Sequence, residues 1–124
     1  MSEEVEVSGK IVFDDVAKPF RNATLYVSLE DISKQNASSE TIASQTIRKV
    51  SVTGKEWETR RYKQIDFVLR GKILDNRGMY VVSAHVDVDG DGRMSIGDYI
   101  TQEYYPVLTR GNPKYVVVHV KAIT

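Results

Sequence analysis

Between Val5 and Phe13 the chain alternates: Val5, Val7, Gly9, Ile11 and Phe13 share one parity, while Glu4, Glu6, Ser8 and Lys10 hold the other. A period of two marks a strand with one face buried. The rhythm returns in residues 23–30, with Leu25, Val27 and Leu29 inward, and again where Ile65, Phe67 and Leu69 alternate with Gln64, Asp66 and Arg70. It is cleanest from Met79 to Val86, with Tyr80, Val82, Ala84 and Val86 on one side and Val81, Ser83 and His85 on the other. Residues 41–52 have strand-forming composition but irregular alternation. Residues 99–107 read mainly as strand despite Pro106, and 115–123 as the last strand. Turn chemistry separates these runs at Asp14-Asp15, the polar stretch 33–40, Gly54-Lys55, Asp75-Asn76-Arg77-Gly78 and Arg110-Gly111-Asn112-Pro113.

About seven strands at fairly regular spacing, with no long amphipathic helix, predict an all-β fold: a single antiparallel β-sandwich, Ig-like or transthyretin-like. At 124 residues the chain is expected to form one domain over 1–124, with residues 1–3 disordered. Such a length buries roughly two thirds of the unfolded surface, enough for a self-sufficient core. A monomer is expected.

The connection after the cleanest strand carries chemistry. Asp87, Asp89, Asp91 and Asp98 occupy positions 1, 3, 5 and 12 of a twelve-residue window, and Gly92 occupies position 6. This is the spacing of a calcium loop: acids at 1, 3 and 5, a sharp turn at 6, a backbone carbonyl at 7 and a closing acid at 12. Asp87, Asp89, Asp91, the Arg93 carbonyl, Ser95 and Asp98 are therefore the expected ligands. Calcium is the expected ion; Asp98, shorter than the usual glutamate, leaves room for magnesium. A plain hairpin turn needs only one or two such residues. Clustered carboxylates repel by about 1 kcal/mol per pair at 4 Å even in water. The strand-forming flanks predict a structural clamp rather than a helical calcium sensor. Ser95 and Asp98 also have capping-box spacing, so one helical turn is expected near Ser95.

Composition narrows the function classes. Cationic and anionic residues balance at 17 each, so no net field draws the protein to nucleic acid or an anionic membrane. The absence of cysteine excludes disulfides, thiolate zinc sites and a cysteine nucleophile. No apolar run approaches the roughly 20 residues of a membrane span. The polar start Met1-Ser2-Glu3-Glu4 is unlike a signal peptide, which leaves a cytoplasmic protein or a mature domain without its leader. One contiguous acidic loop rarely places acids on opposite faces of a substrate, and no nucleophile–base order or phosphate loop accompanies it; no enzyme is expected. His85 and His119 read as structural. The basic-aromatic run Arg60-Arg61-Tyr62-Lys63 near Trp57 is diluted by Glu56 and Glu58. Trp57 with Tyr99, Tyr104 and Tyr105 offers an alternative: a sugar-stacking platform for a carbohydrate or surface polymer.

Several segments occur in an order that resembles a known family: Gly9 to Phe13, Pro19 to Val27, Leu29-Glu30-Asp31, Ala84 to Gly92, Gly97-Asp98-Tyr99 and Tyr105 to Thr109. Together they resemble the YbaY/YscW-like lipoproteins, which include pilotin-type chaperones of type III secretion. The stretch from Ala84 to Thr109 is the most specific part. The resemblance implies a small β-sandwich in the bacterial cell envelope, without catalysis, that binds a protein partner and assists assembly of an outer-membrane secretin.

Overall fold

The computed structural model describes residues 2–14, 19–34, 38–53 and 63–124. Eight strands run in chain order: β1 (Glu3–Phe13), β2 (Phe20–Asp31), β3 (Glu40–Val52), β4 (Gln64–Ile73), β5 (Tyr80–Asp87), β6 (Tyr99–Ile100), β7 (Tyr105–Val107) and β8 (Tyr115–Ala122). No helix occurs among the described residues. The all-β expectation therefore holds, and the inward residues named above are the core: Val7, Ile11, Phe13, Leu25, Val27, Leu29, Phe67, Leu69, Tyr80, Val82 and Val86 are all buried.

Three features differ from the expectation. The strands form one sheet path, β3-β2-β5-β6-β8-β1-β4, with β7 also on β5. Its two end strands approach each other: the Val68 amide on β4 donates to the Gln45 side chain on β3 at 3.1 Å. The result is a nearly closed, barrel-like sheet where a two-sheet sandwich was expected. The pairing is also mixed, because β1 and β8 run parallel from Ser8↔Tyr115 to Phe13↔Val120. Parallel strands need a long crossover, and β1 and β8 have most of the chain between them. Lastly, the expected strand over 99–107 is broken into β6 and β7.

Gly9 shows why β1 can lie against β8. A Cβ there would run into the backbone carbonyl of Val116, its register partner. Only a residue without a side chain permits this approach.

The core beneath the β5–β6 connection is aromatic. Phe13, Phe20 and Tyr99 meet with ring centroids 5.4–5.8 Å apart, tilted or edge-on. Such contacts contribute about 0.5–1.5 kcal/mol each beyond burial. They anchor the start of β6, and with it the end of the acidic loop.

Candidate functional site

The acidic loop is a long hairpin connection. Asp87 ends β5, Tyr99 opens β6, and Val86 pairs with Tyr99 to close its base. Gly90, Gly92 and Gly97 take φ of 75°, 76° and 96°. At position 6 this left-handed conformation is what the predicted sharp turn requires, and glycine adopts it without strain.

Each acid is held by local hydrogen bonds. The Gly90 amide donates to Asp87 Oδ1 at 3.0 Å, and the Gly92 amide to Asp87 Oδ2 at 2.8 Å. Asp89 accepts from the Asp91 amide and, at 2.7 Å, from the Ser95 hydroxyl. Asp91 accepts from the Arg93 amide at 2.8 Å. Asp98 accepts from the Val88 amide on Oδ1, and on Oδ2 it meets His85 Nε2 at 2.9 Å and the Ser95 amide at 3.3 Å. The Ser95–Asp98 capping-box contact thus forms, but only a turn follows it, not the expected helical start. Asp87 and Asp98 are buried; Asp89 and Asp91 are exposed.

One carboxylate oxygen from each of Asp87, Asp89, Asp91 and Asp98 lies within 4.8 Å of the others. Ligands on opposite sides of a calcium ion stand about 5 Å apart, so these oxygens fit a single coordination sphere. A carboxylate oxygen that accepts one hydrogen bond keeps a second lone pair for a cation. The Ser95 hydroxyl, the largest influence, holds the Asp89 carboxyl down at about 2 despite some desolvation, helped by the hydrogen bond from the Asp91 amide. Asp89 is therefore ionised at neutral pH.

The sequence gives His85 a packing or hydrogen-bonding role, and it takes both. It stacks on Tyr26 with centroids 5.9 Å apart and reaches the closing acid of the loop. The clue was its position two residues before Asp87, on the outward face. His119 is structural as well: Nδ1 lies 3.1 Å from both Asp14 carboxylate oxygens, and its backbone bonds the Tyr105 hydroxyl.

The tyrosines do not form a shared platform. Tyr99 is buried in the core, Tyr105 is tied to β8, and Tyr104 alone projects, 78% exposed. Trp57 and the Arg60-Arg61-Tyr62 cluster lie outside the described residues.

The site is thus an acidic hairpin carried on a curled all-β sheet. By family, the chain belongs to the type III secretion system lipoprotein chaperones (YscW), whose family model matches residues 2–120. The fold resembles the structure of an alternative pilotin from the type II secretion system of Vibrio cholerae: TM-score 0.74 and 23% identity, over 98% of this chain and 99% of that one. No curated protein matches the chain. No helix among the described residues is long and apolar enough to cross a membrane.

Proposed function

We propose that the protein is a non-enzymatic, protein-binding module of the cell envelope that assists assembly of a secretion-system component, the outer-membrane secretin. The observation that carries this reading is the family match over residues 2–120, joined by a fold shared along its whole length with a pilotin. The local contacts support it: the Ser95 hydroxyl donates to Asp89, and both histidines are engaged with carboxylates. Deleting the gene and following secretin multimers on native gels tests the proposal. Multimers should fall and return when the chain is supplied from a plasmid; unchanged multimers would refute the role.

The acidic loop has its own part in this reading. Asp87, Asp89, Asp91, Ser95 and Asp98, with the Arg93 carbonyl, bind calcium as a structural clamp on the β5–β6 hairpin, magnesium being the competing ion. The support is the spacing of the acids and the convergence of four carboxylates within 4.8 Å. A clamp of this kind would hold the hairpin rigid for a partner, since the ion offsets the repulsion that otherwise spreads the loop.

A further inference from the structure

The break between β6 and β7 creates a surface that the acidic loop does not use. His85 pairs with Ile100 and Val82 with Tyr105, so four residues, 101–104, stand opposite only Ser83 and Ala84. Thr101 stitches the interruption: its amide donates to the Ala84 carbonyl at 3.1 Å, and its hydroxyl accepts from the Ala84 amide at 3.3 Å. With the ladder satisfied there, the extra residues are thrown outward. Bulges of this sort re-aim side chains. Here they project Glu103 and Tyr104 into solvent.

Beside them runs an open groove of about 610 Å³ across the outer face of β5. Val81 and Ser83 form its floor, Tyr104 and Glu103 one wall, Ile32 and Glu30 the other. Glu30 lies opposite Val81 in the β2–β5 ladder, and Val81 opposite Pro106 in the β5–β7 ladder. Glu103 precedes β7 in the interrupted segment opposite Ser83 and Ala84, so the two glutamates line the groove from opposite flanks of β5. Glu30 is fixed by the Thr41 hydroxyl, which donates to its carboxylate at 3.0 Å. Among the described residues, no lysine or arginine lines the groove. An exposed aromatic ring beside two carboxylates without a cation is complementary to an alkylammonium or guanidinium group. The half-buried Ile32 on the wall, above Val81, suits an aliphatic neighbour.

We propose that this groove receives a short segment of a protein partner in which a lysine or arginine adjoins an aliphatic residue. The proposal rests on the reading of the chain as a protein-binding module and names the chemistry of the segment it takes. The cation lies between Glu30 and Glu103 against the face of Tyr104, and the aliphatic side chain covers Val81 and Ile32.

The test uses the full chain, isotope-labelled, and two synthetic peptides: Gly-Ser-Val-Arg-Val-Ser-Gly, capped at both ends, and the same peptide with glutamate in place of arginine. The arginine peptide should shift the amide signals of Ser83 and 101–104, with an effect that fades as salt is raised. Glu103→Gln combined with Glu30→Gln should weaken binding roughly tenfold, as should Tyr104→Ser. Glu103 and Tyr104 are exposed and Glu30 is half-buried, and the substitutions should leave the circular dichroism spectrum unchanged. Equal binding of the glutamate peptide, shifts confined to another face, or no shift at millimolar arginine peptide would each overturn the proposal. A parallel titration with the purified secretin subunit separates the two readings. Secretin binding that survives all three substitutions refutes the groove and leaves the assembly role standing. Arginine-peptide binding in the groove without any secretin binding supports the groove and refutes the assembly role.

Discussion

His85 Nε2 and Asp98 Oδ2 stand 2.9 Å apart across the base of the acidic loop, joining β5 to the residue just before β6. Asp98 is 1% exposed, and its other oxygen accepts from the Val88 amide. The closing acid of the loop is thus a structural strut in its own right. Replacing it with alanine leaves buried donors without a partner, at a cost of about 1–3 kcal/mol. In chelator, urea denaturation should show this loss for Asp98→Ala, while Asp91→Ala, exposed and bonded to one amide, should stay within about 0.5 kcal/mol of the parent.

Calcium should add to the loss at each ligand. With a Kd on the order of 10⁻⁴ M, about 1 mM calcium adds roughly 1.4 kcal/mol and raises the melting temperature by about 5 °C. Asp89→Ala and Asp91→Ala should abolish the increment while leaving the chelator value nearly untouched. Calorimetric melting with and without calcium measures it; an identical melting temperature in both would remove the ion from the account.

Gly9 offers a test of the fold. Its α-carbon faces the Val116 carbonyl across the parallel β1–β8 pair, with Phe67 close behind. Gly9→Ala should force these strands apart and cost roughly 1–3 kcal/mol, a typical overpacking penalty. Chemical denaturation of the variant checks the value.

Tyr80 supplies the pH dependence. Burial, with Asp31 adding to it, pushes its phenol above the usual 10, and its hydroxyl donates to the Asp75 carbonyl at 2.8 Å. The folded state keeps the proton more tightly than the unfolded chain. Its contribution is therefore complete below pH about 10 and drains away as pH rises through the raised value. Tyr80→Phe should cost about 1 kcal/mol at neutral pH. The gap between parent and variant should narrow above pH 10, as followed by denaturation at stepped alkaline pH.

Which side chains face the core was readable from the sequence, because alternation alone decides it: Leu25, Val27 and Leu29 are all buried as read. Which strand lies beside which was not. Alternation carries no direction, so β1 against β8 in parallel had no local signal, nor did the approach of Gln45 to Val68 that nearly closes the sheet. The loop was legible for a different reason: its spacing is local, and Gly92 takes the left-handed turn its position requires. The strut role of Asp98 was hidden, since it depends on His85 across the hairpin. The same holds for the tyrosines, which share a short segment but diverge once Thr101 interrupts the ladder.

The central claim is that the chain binds a secretin subunit, and a calorimetric titration of the two purified proteins tests it most directly. The account predicts saturable heat with a defined stoichiometry, in calcium-containing buffer, weakened when Glu103→Gln and Glu30→Gln are combined. Absence of heat at concentrations where both proteins remain folded would contradict it.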